Sequence, residues 1–200
     1  MSEGGLLFVL PEAALRLASR SGYDVNMINI LSSQELFSGH GWKITLDSAP
    51  LPDGRVKTAG RAHRAEVVHI IALPQPETVL MIREFRPFYG RYVWMIPSGK
   101  VDKESSHLDA AQRELREETG YRAEELHYYS LGRYTDSLES KNHFYVARKL
   151  VKDPLPQDAN ELIEVHEMTL EDAIEKVLSD EFAHLATAYA LLRHAREHGL

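Results

Sequence analysis

Residues 99–121 read GKVDKESSHLDAAQRELREETGY, and the second half of this segment has the pattern of an amphipathic helix. Ser106 is followed three residues later by Asp109, which is typical of a helix N-cap worth about 1 kcal/mol. Gly120 is suited to end the helix, because glycine adopts the left-handed conformation after the last turn without steric cost. The segment therefore predicts a helix between Ser106 and Gly120.

This helix would carry three glutamates on one face. Glu114, Glu117 and Glu118 stand at positions i, i+3 and i+4. The neighbouring stripe is apolar and consists of Leu108, Ala111 and Leu115. Like charges at this spacing destabilise a helix by a few tenths of a kcal/mol per pair, so helix stability does not explain them. Carboxylate oxygens are preferred ligands of Mg2+ and Mn2+, and the pattern indicates a metal site; a solvated acidic face is the alternative.

The spacing of these residues resembles the Nudix box, which is Gly, five residues, Glu, seven residues, then Arg-Glu-aliphatic-x-Glu-Glu-x-Gly-hydrophobic. Gly99 and Arg113 stand at the expected separation. Ser105 occupies the position of the box glutamate, and Glu104 lies one place early. The resemblance implies that Arg113 partners that glutamate, so the departure affects support of the loop more than the metal site.

The resemblance implies an α/β (α+β) Nudix fold, with a mixed β-sheet sandwiched between helices and an N-terminal antiparallel β-sheet extension. We expect residues 1–65 to form that extension and residues 66–200 to form the Nudix hydrolase domain. Residues 34–65 predict two or three strands, too few for an independent core. They resemble the sheet that ADP-ribose-type Nudix enzymes exchange across a homodimer. Residues 11–20 predict a short helix with no assigned chemistry.

The resemblance also implies a set of ligands for metal and substrate. Glu114, Glu117, Glu118 and the backbone carbonyl of Ser98 would bind Mg2+, or Mn2+. Arg86 lies in a segment similar to the Gln-Tyr-Arg-x-Pro segment of ADP-ribose hydrolases and would contact phosphate; a guanidinium presents a planar fork to phosphate oxygens.

The N-terminal strands add three candidates for substrate binding. Trp42 would stack on a base or would instead be part of the core. Arg61 or Arg64 would meet phosphate, and the sequence does not choose between them. Glu139 lies in the loop of residues 133–141, where it would approach metal or substrate or would remain a surface carboxylate.

Residues 157–166 resemble the segment that closes the active site of ADP-ribose-type Nudix enzymes. Hydrolysis needs a base near the attacking water, and a carboxylate from this segment fits that role. Glu161 is the first candidate, and Asp158 and Glu164 are the alternatives. A further alternative is that all three are solvated.

The resemblance is to the ADP-ribose pyrophosphatase and nucleotide-sugar hydrolase subgroup. It implies Mg2+-dependent hydrolysis of ADP-ribose to AMP and ribose 5-phosphate. Met95 stands where this subgroup usually has Glu, and residues 133–141 lack its usual Pro and Gly. Alternatives are therefore hydrolysis of ADP-glucose, GDP-mannose, NADH or diadenosine polyphosphates. A non-catalytic nucleotide-binding module is a third alternative, although it would have little need of the three glutamates.

The composition of the chain argues against several classes of partner and site. The net charge of −7 argues against non-specific nucleic-acid binding. The absence of cysteine excludes thiolate catalysis, and the ten histidines show no metal-ligand spacing, so a zinc site is not expected. The N-terminal apolar run is too short for a membrane span, and we expect a cytoplasmic protein.

Local patterns predict most of the remaining elements. Residues 66–73 and 79–85 are apolar runs on either side of a proline turn and are typical of a hairpin. Residues 170–179 and 184–198 predict two helices near the C-terminus.

Overall fold

The computed structural model describes residues 29–101 and 106–199, and the helix predicted for residues 11–20 lies outside them. Three helices are described: α1 His107–Thr119, α2 Leu170–Ser179 and α3 Leu185–His198. The described strands are β1 Ser32–Gly39, β2 Trp42–Pro50, β3 Val56–His63, β4 Val67–Ala72, β5 Thr78–Arg86, β6 Arg91–Met95, β7 Ser98–Lys100, β8 Tyr121–Gly132, β9 Leu138–Glu139, β10 Asn142–Lys152 and β11 Ile163–Thr169. None of the described helices is long and apolar enough to cross a membrane.

Two sheets form the centre of the molecule. One has the order β7-β4-β10-β8, with β4 and β10 parallel and the other pairs antiparallel. The other is the antiparallel sheet β11-β5-β6. The prediction of a hairpin from residues 66–73 and 79–85 was wrong, because β4 and β5 belong to different sheets. Both strands are buried. Strand β4 pairs with β7 and β10, whereas β5 pairs with β11 and, across the tight turn at Gly90, with β6.

The mixed sheet is covered on both faces, as predicted. Val68 and Ile70 of β4 pack against α1, whereas Ile71 and Leu73 pack in the cluster that contains residues of α2 and α3. Alternate residues of a strand point to opposite faces, so helices lie on the two sides of the sheet. This arrangement confirms the predicted fold.

Helix α1 begins and ends at the predicted caps. The Ser106 side chain accepts a hydrogen bond from the backbone N–H of Asp109, and Gly120 adopts the left-handed conformation with φ of 77°. The predicted apolar stripe was partly wrong, since Leu108 is 46% exposed. The buried face of the helix is centred on Ala111 and Glu118, and Leu108 lies at its edge.

The N-terminal sheet is β1-β2-β3, and the short strand β9 extends it by pairing parallel with β3. The antiparallel extension was therefore predicted correctly, whereas the parallel fourth strand was not. Thr45 and Asp47 of β2 are buried, but Trp42 and Leu46, on the other face of the strand, are 41% and 37% exposed. The polar face of β2 thus packs inward and its apolar face does not. A domain boundary at residue 65 remains a prediction.

Candidate active site

Helix α1 places its glutamates against β7. Glu114 and Glu118 are 7% and 4% exposed. The backbone N–H of Ser98 donates a hydrogen bond to Oε2 of Glu118 over 2.8 Å. Arg113 bridges the other two carboxylates, with Nη2 2.8 Å from Oε1 of Glu114 and Nη1 2.6 Å from Oε2 of Glu117. The helix and the strand therefore fix three carboxylates in one region.

Gly99 makes this close approach possible. A Cβ atom built on Gly99 would lie 1.9 Å from Cδ of Glu114 and 2.0 Å from its Oε1. Real Cβ atoms do not approach that closely, so a side chain at this position would displace the carboxylate or the strand. Glycine at the first position of the box is therefore needed for Glu114 to pack against β7.

A fourth carboxylate was missed by the sequence analysis. Glu84 of β5 is 6% exposed and lies 2.8 Å from Nη2 of Arg86. Burial raises its pKa, the Arg86 guanidinium opposes the rise, and the charge of Glu161 adds to it. The available signal was a glutamate that follows the apolar run of β5 and lies two residues before Arg86. A buried carboxylate needs a partner, and Arg86 is the nearby cation.

The acidic cluster is electrostatically unfavourable when no cation is bound. Burial raises the pKa of Glu114 to about 7, with the nearby charges of Glu117 and Glu161 adding to the rise. Burial also raises the pKa of Glu118 well above its ordinary value, and the charge of Glu114 contributes. Buried carboxylates of this kind are expected where a cation compensates them. An all-oxygen donor set fits Mg2+ or Mn2+.

The oxygens are not gathered around a single point. Among the described residues, one group of three acidic or histidine side chains has ligand atoms that all lie within 4.8 Å of one another. That group is Glu66, His107 and His143, and it includes none of the box glutamates. Arg113 lies between Glu114 and Glu117 and offsets part of their charge. The donor chemistry therefore fits a hard divalent ion, and its binding requires the carboxylates to rearrange around it.

The three candidate bases differ in their surroundings. Glu161 is half-buried, and burial raises its pKa; the charges of Asp158 and Glu117 add to the rise, whereas Arg86 and Arg113 oppose it. Glu164 forms an ion pair with Arg83, with its Oε2 atom 3.1 Å from Nη1 of the arginine. The structure thus brings Glu161 next to the acidic cluster, with Asp158 close to it.

Arg86 lies at the edge of the same cluster. Its Nη2 atom also donates to Sδ of Met95 over 3.2 Å, and 40% of the side chain is exposed. Met95 therefore occupies the place beside Arg86 where the resemblance leads us to expect a glutamate. The exposed part of the guanidinium is accessible to an anion.

The other predicted substrate contacts fall into two pairs. Arg61 binds Glu139 and Asp47, and its side chain is only 15% exposed. Arg64 lies over the ring of Trp42, 5.0 Å from the ring centroid. The first pair links β3 to β9, whereas Trp42 and Arg64 together present an exposed aromatic and cationic surface.

A cavity of about 310 Å³ lies beside α3. Arg133, Tyr134, Asn142 and Tyr189 are among its lining residues. Burial raises the pKa of Tyr134, and the Arg64 guanidinium opposes the rise.

Glu114→Gln should stabilise the protein in the absence of metal, increasingly as the pH rises. The unfolded carboxyl titrates near 4.5, whereas the folded one titrates at about 7, so ionisation destabilises the folded state through that window. The stability difference between variant and wild type should grow between those pH values to on the order of 1–3 kcal/mol and then level off. Thermal unfolding with a chelator from pH 5 to 8 measures it. Glu175→Gln, an exposed position on α2, is the matched control, and a difference independent of pH would contradict this explanation.

Gly99→Ala should lower kcat about 100-fold, because a displacement of about 1 Å at a reacting centre has that effect. The Cβ atom would overlap the carboxylate of Glu114. Steady-state kinetics and circular dichroism would separate a displaced ligand from a misfolded chain. Gly60→Ala on β3 has no atom within 4 Å of the added carbon and should behave as wild type. Unchanged kcat in Gly99→Ala would show that the site tolerates movement of Glu114.

The NUDIX domain matches residues 62–190, more than half of the chain, so the chain belongs to the Nudix family. The protein is therefore a Nudix hydrolase, and its box is the segment that begins at Gly99.

Its relatives include enzymes that act on ADP compounds. An ADP-ribose pyrophosphatase of Bacillus subtilis (strain 168) is 30% identical over 167 residues, which are 80% of this chain and 89% of that protein. A methanol dehydrogenase activator of Bacillus methanolicus is 28% identical over 175 residues, which are 84% of this chain and 95% of that one. The crystal structure of an ADP compounds hydrolase superposes with a TM-score of 0.70 at 23% identity, covers 86% of this chain and 95% of that chain, and shows the same fold.

Proposed function

We propose that the protein hydrolyses the pyrophosphate bond of ADP-ribose in a Mg2+-dependent reaction and releases AMP and ribose 5-phosphate. The observation that carries the proposal is the buried carboxylate cluster of α1 beside the half-exposed Arg86. A site that combines several carboxylates with a guanidinium suits a substrate whose phosphates are bridged to the protein by cations. The similarity to an ADP-ribose pyrophosphatase supports the choice of substrate.

The side chains divide the work as follows. Glu114, Glu117, Glu118 and the carbonyl of Ser98 would hold Mg2+, or Mn2+, which polarises phosphate oxygens and lowers the pKa of a bound water. Glu161 would orient the attacking water and accept its proton.

Three arginines and a tryptophan complete the arrangement. Arg86 would bind a phosphate oxygen and offset the charge that develops on the leaving group. Arg113 would position Glu114 and Glu117 before the ion binds. Trp42 and Arg64 lie together; Trp42 would stack on the base and Arg64 would meet a phosphate.

A second candidate is a related nucleotide sugar or dinucleotide. Met95 is 1% exposed and contacts Arg86, so an apolar thioether occupies the place of a carboxylate next to the phosphate-binding guanidinium. That change alters the groups that the site offers to the part of the substrate near Arg86. ADP-glucose, GDP-mannose, NADH and diadenosine polyphosphates are the compounds to compare.

A turnover panel tests the proposal. Release of mononucleotide from ADP-ribose and from the four other substrate classes would be followed at fixed Mg2+ and again with a chelator. We expect the highest kcat/KM for ADP-ribose and no turnover without a divalent ion. A higher kcat/KM for another compound would identify that compound, and not ADP-ribose, as the substrate. Nucleotide binding without turnover under any metal condition would instead identify a binding module.

We further propose that the protein is a homodimer that forms through the N-terminal sheet. The apolar residues of that sheet are unusually exposed, at 56% for Leu36, 50% for Phe37 and 37% for Leu46. A strand that turns its polar residues inward and its apolar residues outward needs a second apolar surface. A second copy of the chain supplies the matching one.

Leu46→Glu should convert the dimer to a monomer, because it places a charge within the apolar face of β2. Sedimentation velocity at micromolar concentration measures the change. Lys43→Glu is the matched control, since Lys43 points to the opposite face of the same strand and its surface ion pair with Glu35 contributes little. A monomeric wild-type protein would refute the proposed dimer.

A further inference from the structure

Two histidines and a glutamate converge at the beginning of α1, away from the acidic cluster. Nε2 of His107 lies 2.9 Å and Nε2 of His143 lies 2.7 Å from the same atom, Oε2 of Glu66. The two imidazole rings are stacked with centroids 3.8 Å apart. All three ligand atoms lie within 4.8 Å of one another, which makes this trio the candidate metal-binding group among the described residues.

Three separate elements hold these side chains in place. His143 belongs to β10 and pairs with β4 and β8 on its two sides. Glu66 directly precedes β4, and its carbonyl accepts a hydrogen bond from the N–H of Val101. His107 is the first residue of α1, whose N-cap is formed by Ser106. A ligand bound here would therefore join the first turn of α1 to the central sheet.

The second oxygen of the carboxylate is also fixed. Nζ of Lys141 lies 2.9 Å from Oε1 of Glu66, so Oε2 is oriented toward the two imidazoles. Contacts of this kind orient a metal ligand and keep its conformation. The His143 side chain is 8% exposed, whereas His107 and Glu66 are 42% and 31% exposed, so the convergence point is open on one side.

The donor set and the distances fit a tetrahedral ion. Two imidazole nitrogens and one carboxylate oxygen are the protein ligands of several open zinc sites. Bonds of about 2.1 Å in a tetrahedron separate the ligand atoms by about 3.4 Å, so the present contacts would have to widen by about 0.6 Å. An imidazole binds an ion in the plane of its ring, so the two stacked rings would also have to turn relative to each other. His107, which is 42% exposed, is the ring with room to turn.

We propose that Glu66, His107 and His143 form a second metal site, specific for a transition-metal ion such as Zn2+. Imidazole nitrogen favours Zn2+, Cu2+ and Ni2+ over Mg2+, so the site differs in selectivity from the carboxylate cluster. It is also separate in space, since Glu114 lies seven residues after His107, or about 10 Å along the helix axis. A solvent molecule would complete the coordination.

Co2+ provides a direct probe, because its visible absorption reports coordination number and nitrogen ligands. The full-length protein, freed of metal with a chelator, would be titrated with Co2+ in excess Mg2+, which occupies oxygen-rich sites. We expect one equivalent of Co2+ to bind with the strong absorption of a four- or five-coordinate ion. Zn2+ should displace it and should raise the thermal unfolding temperature.

Variants decide where the ion binds. His107→Ala alters a partly exposed residue and should leave the fold intact, as circular dichroism would verify, while weakening Co2+ binding at least about 10-fold; Glu66→Gln should do the same. His166→Ala, a histidine on β11, and Glu117→Gln should both retain binding. Loss of the signal in Glu117→Gln with retention in His107→Ala would place the ion in the acidic cluster and overturn the proposal. So would the absence of Co2+ binding to the wild-type protein.

Discussion

Glu117→Gln is expected to reduce kcat about 1,000-fold and to raise the Mg2+ concentration needed for half-maximal activity. The amide keeps the shape of the side chain but removes the negative charge that would bind the cation, and a catalytic metal ion contributes several kcal/mol to transition-state stabilisation. Glu117 is also the least buried of the three box glutamates, with a side chain that is 22% exposed, so the exchange should not disturb the core. Initial rates over a range of Mg2+ concentrations measure both effects.

Glu175→Gln serves as the control for this substitution as well, because it makes the same chemical change on the exposed face of α2. It should retain the wild-type rate and Mg2+ dependence. Full turnover by Glu117→Gln at saturating Mg2+ would show that this carboxylate is not a required ligand, and the proposed metal site would have to be reassigned.

Glu161→Gln should lower kcat between about 100-fold and 10,000-fold, the range that positioned acid–base groups contribute. The pH profile gives the more specific result. Burial and neighbouring carboxylates raise the pKa of Glu161, so a base at this position would be protonated and inactive at low pH. The acidic limb of the rate profile should therefore flatten in the variant, while KM changes little.

Glu164→Gln is the matched control, three residues further along the chain. Its carboxylate binds Arg83 and its pKa is lowered by that contact, so the substitution should leave the pH profile unchanged. If Asp158→Asn rather than Glu161→Gln removed the acidic limb, Asp158 would be the base. An intact profile in both variants would assign the role to a group outside this segment.

Signals that lie close together in the sequence predicted helix α1 well. The Ser106 and Gly120 caps are local hydrogen-bonding and backbone effects, and both are present in the structure. The i, i+3, i+4 spacing likewise fixed which carboxylates share a face. The prediction that Leu108 belongs to the packed stripe was wrong, because the sheet beside a helix decides which side of the helix is buried. The sequence of the helix alone does not contain that information.

Long-range pairing accounts for the other differences. The strands β4 and β5 looked like a hairpin because they are adjacent and apolar, but their partners are up to some 90 residues away in the chain. No prediction was made for Glu84, because its place in the acidic cluster depends on its proximity to Glu118 of α1, which is distant in the sequence. His107 and His143 lie 41 and 77 residues from Glu66, so no local spacing could reveal that they meet.

The position of Arg113 between Glu114 and Glu117 has a consequence for how the enzyme responds to its surroundings. On the proposed mechanism, an incoming divalent ion competes with a cation that is part of the chain itself. Metal binding then replaces the two contacts that the Arg113 guanidinium makes with Glu114 and Glu117. Loss of those contacts lowers the net affinity of the carboxylates for the ion. A divalent ion carries twice the charge of a monovalent ion and should therefore compete better with Arg113 for the carboxylates. Hydrolysis would accordingly follow the free concentration of divalent cations instead of proceeding at a fixed rate.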